Sequence, residues 1–184
     1  MTVEFRNTGN TWGAVARGFH WLIAMLVLAQ FVIGTIAEEM KLTPAKLDLF
    51  VWHKSIGVTV LVLAVLRLMW RFGNSPPAGT PGWERKLAGL AHGILYALVF
   101  AVPLSGWWVS DASRVPFKAF FFVPMPDFIA TDRALQEAAA EVHEALTITL
   151  LVVVILHIAA ALRQHFLLRN DVLRRMLTGR CSRN

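Results

Sequence analysis

The chain has 184 residues, of which 56% are hydrophobic and only 16% are charged, and its formal net charge is +6. Because about a quarter of the residues of an average soluble domain are charged, this composition excludes an ordinary soluble globular domain. The single cysteine, Cys181, excludes an intrachain disulfide framework and a cysteine-ligated iron–sulfur cluster. The sequence also lacks a CxxCH motif for covalent haem attachment and the glycine-rich motifs of nucleotide-binding loops.

Four apolar runs are long enough to cross the hydrocarbon core of a bilayer, which takes about 20 residues. The predicted spans are 15–37, 50–70, 88–110 and 142–165. The first run is too long for the core of a signal peptide and has no clear cleavage pattern, so we expect it to be retained. The predicted fold is an all-α membrane protein, a four-helix transmembrane bundle that forms a single domain over residues 1–184.

The segments outside the spans are predicted to lie at the membrane surfaces. The segment 111–141 contains the aromatic run VPFKAFFFVPMPDF, which with Trp107 and Trp108 indicates an interfacial anchor. Substrate docking is the alternative interpretation of that aromatic run. The tail, residues 169–184, mixes apolar and basic positions and is predicted to be amphipathic and to lie on the membrane.

Positive charge is divided unequally between the two sides that four spans define. Of the eighteen lysines and arginines, twelve lie on the side of both termini and six on the opposite side. By the positive-inside rule, both termini are expected in the cytoplasm. The basic excess therefore indicates topology and contact with membrane lipids, and no nucleic-acid partner is expected.

Histidines recur at two depths in the predicted spans. His143 and His157 lie fourteen residues apart in the fourth span, about 21 Å along one helix and near the same face. The alternating span directions put His53 at the outer depth of His143 and His20 at the inner depth of His157. Ionisable residues at membrane depth are costly and are candidates for a functional site. Because two imidazoles fill both axial positions of a haem iron, we predict two bis-histidine haems, one at each depth.

Simpler interpretations of these histidines stay open. Each one taken singly is explained by an interfacial position or a helix–helix hydrogen bond. A zinc or di-iron site is the competing metal centre, but it needs more ligands at one depth, usually including carboxylates. Glu141 and Glu144 flank His143, whereas the inner pair has no acidic neighbours. The remaining hypothesis is a non-redox membrane protein whose histidines only pack or bind a transition metal.

The other two histidines, His92 and His165, are both predicted on the inner side. Together they are suited to bond the two carbonyl oxygens of a quinone and exchange its protons, since histidine titrates near neutral pH. Interfacial packing is the alternative. Arginines on the same side match haem propionates or lipid headgroups, because a guanidinium fork pairs with such anions. These arginines are Arg17, Arg67, Arg71 and Arg163.

The order and spacing of these motifs resemble the bacterial cytochrome b561 family, the four-helix di-haem proteins of inner membranes. The resemblance runs over nearly the whole chain. It rests on RGFHW from Arg17, WHKSIG from Trp52, LRLMWR from Leu66, AHGILY from Ala91, VHEAL from Val142, LHIAAALRQHF from Leu156 and NDVLRRML from Asn170.

The resemblance implies two haems b in a bacterial inner membrane. His20 and His157 are then the ligands of the inner haem iron, and His53 and His143 are the ligands of the outer one. This assignment agrees with the pairing by depth.

The resemblance also implies electron transfer between a periplasmic partner and the quinone pool. In one type of member, a superoxide oxidase, superoxide reduces the outer haem and ubiquinone is reduced beside the histidines that match His92 and His165. We expect Lys54, which follows His53, to attract the superoxide anion. Other members serve a dedicated periplasmic redox protein, so the chain is expected to be either a superoxide:quinone oxidoreductase or an electron-carrier subunit.

Overall fold

The computed structural model describes residues 4–77, 82–113 and 117–180. Arg114, Cys181, Arg183 and the end of the predicted tail lie outside the described residues. Within these ranges the chain forms the helices α1 (Ala14–Glu39), α2 (Pro44–Phe72), α3 (Trp83–Asp111), α4 (Arg133–Phe166) and α5 (Val172–Thr178). Two short strands between α3 and α4, β1 (Lys118–Ala119) and β2 (Val123–Pro124), pair antiparallel.

The four long helices confirm the prediction of a four-span all-α protein. They contain 26, 29, 29 and 34 residues, which at 1.5 Å per residue makes them about 39–51 Å long. All four are long and apolar enough to cross a membrane. The fourth helix begins at Arg133, well before the predicted span start at residue 142. It does so because the Asp132 carboxylate caps it, accepting from the Leu135 N–H at 3.0 Å.

Neighbouring helices pack in sequence order, α1 on α2, α2 on α3 and α3 on α4. A narrow apolar core joins all four, and it is formed by Ile23, Val27, Val60, Leu98 and Leu150. Many large apolar side chains of the same helices, such as Leu28, Val62 and Ile155, are exposed on the outside of the bundle. An exposed apolar surface of this extent is typical of a protein surrounded by lipid rather than water.

One end of the bundle carries the β1–β2 pair, and we call it the hairpin end. Two buried side chains hold the loop that contains the pair. Ser55 in α2 accepts from the Phe120 N–H at 2.7 Å, and Asp111 at the end of α3 accepts from the Phe128 N–H at 2.8 Å. At the turn, Phe120 and Phe121 have φ values of 51° and 71°. This left-handed conformation is unfavourable for bulky residues, so the surrounding contacts must hold it.

The opposite end carries α5, and we call it the α5 end. Two side chains from the first turns of α1 bond to the last carbonyls of α5. The Arg17 Nη1 donates to the Leu177 carbonyl and the Trp21 Nε1 donates to the Met176 carbonyl, each at 3.0 Å. These bonds supply donors to carbonyl groups of the last helical turn, which have no N–H partner inside the helix. The short helix of the tail is therefore fastened to the start of α1.

Candidate functional site

The structure brings the histidines together in the pairs expected from their depths. At the hairpin end, the rings of His53 in α2 and His143 in α4 have centroids 6.4 Å apart. At the α5 end, the rings of His20 in α1 and His157 in α4 also have centroids 6.4 Å apart. The two histidines on α4 are fourteen residues apart, which corresponds to about 21 Å along the helix axis.

The spacing within each pair suits a metal ion between the rings. An imidazole nitrogen binds a transition-metal ion at about 2.0–2.1 Å, so two imidazoles on opposite sides of one ion have centroids about 6.3 Å apart. Both pairs have this separation, with ring planes at 88° in the hairpin-end pair and 70° in the α5-end pair. Each pair could therefore hold one metal ion, such as a haem iron, between its two rings.

A cavity adjoins the hairpin-end pair. Its volume is about 230 Å³, and its mostly apolar lining comes from all four long helices and the hairpin loop. Its lining includes Gln30, His53, Lys54, Trp107, Phe117 and His143. A mainly apolar cavity with a few converging polar groups is typical of a cofactor site.

Two glycines leave room for the imidazole rings at this end, and the sequence analysis did not single them out. A Cβ at Gly106 would lie 3.0 Å from the Cε1 of His143, and a Cβ at Gly34 would lie 3.2 Å from the Cε1 of His53. Each ring thus lies directly against the backbone of a neighbouring helix. The signal that could have identified them is a glycine in an apolar span at the depth of a histidine.

Hydrogen bonds determine which nitrogen of His143 is free. Its Nδ1 lies 3.0 Å from the carbonyl of Val102 and 2.9 Å from the hydroxyl of Ser105, both in α3. Because a carbonyl only accepts, Nδ1 carries the proton and Nε2 is left with its lone pair. Metal-bound histidines usually have this arrangement, in which the second ring nitrogen donates to a carbonyl. The Nδ1 atoms of His20 and His53 are buried with no hydrogen-bond partner in the described part of the chain.

At the α5 end, two of the predicted arginines lie near the histidine pair and one is bonded elsewhere. Arg67 and Arg71 lie over the ring of Tyr96, at 5.4 and 5.7 Å from its centroid. The charge of Arg67 acts on both His20 and His157. Arg17 instead donates to the α5 carbonyl described above.

Arg163, the fourth arginine of this group, forms an ion pair with Glu84 in α3. The distance between its Nη1 and the Oε1 of Glu84 is 3.2 Å. This contact links the C-terminal part of α4 to the first turn of α3. Arg163 is therefore part of the packing of these two helices.

His92 and His165 lie at different depths. The ring of His92 is 5.5 Å from the ring of His157, so His92 belongs to the histidine cluster at the α5 end. His165 is eight residues further along α4 than His157, or about 12 Å. It packs against Phe166 with a centroid distance of 4.9 Å, and its buried Nδ1 has no partner among the described residues. A ligand that contacts both histidines must extend along the helix axis.

Lys54 is the cation closest in sequence to the hairpin-end pair. It lines the cavity beside His53, and its Nζ lies 5.4 Å from the centroid of the Phe117 ring. The lysine therefore lies between the histidine pair and the loop at the hairpin end. The Lys54 side chain is half-buried at this position.

A carboxylate-rich metal site has no support in the described ranges. They contain no group of three or more histidine, cysteine, aspartate or glutamate side chains that could hold a metal ion. Glu141 and Glu144, which flank His143 in sequence, are both exposed. The zinc and di-iron alternatives require such a group.

Four membrane-length helices with two facing histidine pairs define the class of protein as a membrane haem protein of the helical-bundle type. The family model described as prokaryotic cytochrome b561 matches residues 11–179, and the chain belongs to this family. It is a membrane b-type cytochrome involved in electron transfer. The family implies a b-type haem, and the spacing of the histidine pairs, the cavity and the glycines fit such a group.

Two relatives extend over nearly the whole chain. "Cytochrome b561 homolog 2" of Escherichia coli (strain K12) is 31% identical over 185 residues, covering 95% of this chain and 95% of the relative. "Probable superoxide oxidase CybB" of Yersinia pestis is 27% identical over 165 residues, covering 87% of this chain and 92% of the relative. The family predicted from the motifs is therefore confirmed.

Proposed function

We propose that the chain binds two haems b and carries electrons one at a time between a periplasmic donor and ubiquinone near the cytoplasmic side. The observation that carries this proposal is the pair of 6.4 Å histidine spacings, one at each end of α4. His53 and His143 would hold the outer haem iron, and His20 and His157 the inner one. When bound, each haem supplies a one-electron redox centre.

The proposed orientation places the α5 end in the cytoplasm and the hairpin end in the periplasm of a bacterial inner membrane. The support is the charge asymmetry, since twelve of the eighteen basic residues belong to the side of the termini. With this orientation, the arginine-rich α5 end faces the anionic surface of the cytoplasmic leaflet.

At the inner side, the chain supplies groups for propionates and for a quinone. Arg67 and Arg71 would pair with haem propionates, and Arg17 is a third candidate because its buried Nε has no hydrogen-bond partner among the described residues. His92 and His165 would bond the quinone carbonyls and pass on the two protons that quinone reduction consumes. His165 lies about 12 Å beyond His157 along α4, and His92 lies beside His157, so the quinone would lie between these two depths.

At the outer side, the proposed donor is superoxide. Two superoxide anions would each lose one electron and leave as O₂, while one ubiquinone takes up two electrons and two protons to become the quinol. Lys54, beside the hairpin-end pair, would attract the anion. The relative from Yersinia pestis, whose name states probable superoxide oxidase, supports this donor.

A second candidate function is electron transfer to or from a dedicated periplasmic redox protein. The observation that favours it is the cluster of exposed aromatic side chains at the hairpin end, Phe121, Phe122 and Phe128. An exposed aromatic patch next to a redox site is suited to contact another protein. In this case the chain is an electron-carrier subunit without a small-molecule substrate on the outer side.

The test is stopped-flow reduction of the purified cytochrome by superoxide, followed by reoxidation with added ubiquinone. We expect two haems per chain, fast reduction by superoxide, and reoxidation that is slowed when both His92 and His165 are replaced by Ala. Unchanged reoxidation in that double variant would refute the quinone site. Reduction by superoxide no faster than that of an unrelated exposed haem would favour the dedicated partner. Fewer than two haems per chain would overturn the two-haem assignment.

A further inference from the structure

The four proposed iron ligands differ in how their second ring nitrogen is held. The Nδ1 of His143 has two hydrogen-bond partners in α3, the Val102 carbonyl and the Ser105 hydroxyl. The Nδ1 atoms of His20 and His53 are buried without a partner in the described part of the chain. The hairpin-end pair therefore combines one ring that is fixed by hydrogen bonds with one that is fixed by packing alone.

Ser105 is placed to act on both the ring and the carbonyl. Its side chain is almost fully buried, with 6% of the residue exposed, and its hydroxyl donates to the Val102 carbonyl at 2.8 Å. Because the hydroxyl hydrogen is used there, the serine oxygen accepts from the Nδ1–H of His143, 2.9 Å away. The Nδ1 proton is thus shared between two acceptors that also bond to each other.

Gly106 completes this arrangement by bringing the ring against α3. A side chain there would meet three atoms of the His143 ring, at 3.0, 3.3 and 3.6 Å. The ring consequently lies close enough to the helix to reach a backbone carbonyl and a serine hydroxyl of the preceding turn.

The electronic consequence follows from metal–imidazole chemistry. An imidazole that donates from its second nitrogen is a stronger electron donor to the bound metal, and it is held in one orientation. A stronger donor favours the oxidised iron and so lowers the reduction potential. The unpartnered Nδ1 of His53 gives no such contribution.

We propose that Ser105 is a positioning residue that orients His143 and lowers the reduction potential of the outer haem. The inference rests on the proposed two-haem function and deepens it. A buried serine in α3 would thereby influence the driving force for electron transfer between the outer and inner haems. The inner pair has no corresponding hydrogen-bonded serine among the described residues.

The test is a redox titration of the purified holoprotein, with the α-bands and the low-spin electron paramagnetic resonance signals recorded for both haems. Ser105→Ala should raise the midpoint potential of the outer haem and broaden its resonance signal, while the inner haem is unchanged. Ser105→Cys, which keeps the size but accepts hydrogen bonds weakly, should shift the potential in the same direction. Ser105→Thr, which keeps the hydroxyl, should restore the wild-type potential.

Thr59→Ala is the matched control, because Thr59, like Ser105, has a hydroxyl that donates to a backbone carbonyl of the preceding turn. The Thr59 hydroxyl is half-buried and lies 2.9 Å from the carbonyl oxygen of Ser55. Thr59 has no hydrogen bond to a histidine among the described residues, so this change should leave both potentials as they are. A wild-type protein with two haems in which Ser105→Ala and Ser105→Cys shift neither potential, or shift the inner one, overturns the role of Ser105 alone. A wild-type protein without a haem at His143 overturns the proposed function as well.

Discussion

Adding a single methyl group at Gly106 tests whether the space around His143 is built for an axial ligand. In Gly106→Ala, the new Cβ would lie 3.0 Å from the Cε1 and 3.3 Å from the Nδ1 of the imidazole. Contacts this short force the ring to move by a few tenths of an ångström. Metal–ligand distances vary by only about 0.2 Å in genuine sites, so this displacement is large for a ligand.

The expected size of the effect follows from overpacking. Extra methyl groups in a well-packed site cost about 1–3 kcal/mol. If the strain destabilises only the haem-bound protein, the affinity for the outer haem decreases by about 5- to 150-fold, since 1.4 kcal/mol corresponds to a factor of ten. Gly106→Leu cannot be accommodated by such a small movement, and we expect it to remove the outer haem completely.

The assay is haem content per chain combined with the reduced-minus-oxidised spectrum of protein purified under one set of conditions. Gly89→Ala is the control, because a Cβ at Gly89 in the same helix meets nothing within 4 Å. That change should keep both haems and stabilise the helix slightly, by about 0.5–1 kcal/mol. A Gly106→Leu protein that keeps both haems would refute the assignment of His143 as an iron ligand.

The remaining predictions concern single side chains at the two ends of the bundle. Replacing His143 by Ala should remove the outer haem and keep the inner one, and replacing His157 by Ala should do the reverse, as measured by haem content and potential. Lys54→Gln should slow haem reduction by superoxide and weaken its salt dependence without changing haem content, measured by stopped flow. Ser55→Ala leaves the Phe120 N–H without its acceptor, so it should destabilise the hairpin loop by about 1–3 kcal/mol, measured by hydrogen exchange of that amide.

Each of these predictions has an outcome that would contradict it. Loss of both haems in each single histidine variant would indicate that α4 folds only with both sites filled. A Lys54→Arg protein should react with superoxide at the wild-type rate. A slower reaction would show that the positive charge at this position does not determine the rate of haem reduction. Unchanged exchange at Phe120 in Ser55→Ala would show that the turn is held by its aromatic contacts with Trp52 instead.

The pairing of the histidines was predictable because it depends on quantities that the sequence contains. Four apolar runs and a fixed rise per residue determine the depth of every side chain, and alternating directions determine which depths coincide. His20 with His157 and His53 with His143 follow from this arithmetic alone. In the structure, the imidazole rings of each of these two pairs have centroids 6.4 Å apart.

The environment of each ring was not predictable in the same way. Gly106 and Ser105 are small residues in a membrane span, and most such residues simply allow helices to approach each other. Their contact with His143 depends on the rotation of α3 about its axis, which hydrophobicity determines only weakly when both lipid and core are apolar. The Val102 carbonyl is a backbone group and has no side-chain signal at all.

The sequence did not predict the hairpin or the contact between Arg17 and α5, and the reasons differ. A turn that uses Phe120 and Phe121 in the left-handed region contradicts the usual preference for glycine or asparagine, so no turn signal was present. The sequence groups Arg17 with Arg67, Arg71 and Arg163 because all four belong to the inner side. The structure shows that its Nη1 donates to a carbonyl of α5, a partner 160 residues away in sequence.

That distant partner has a consequence for how the protein is made. Arg17 and Trp21 are synthesised before their acceptors, which lie 160 and 155 residues later in the sequence. His20 likewise meets His157 only after the fourth helix has been synthesised. During synthesis α1 is therefore without these partners until α4 and α5 have been made, so the α5 end cannot close before then. A premature stop before residue 172 would then leave α1 packed on α2 but without its two bonds to α5.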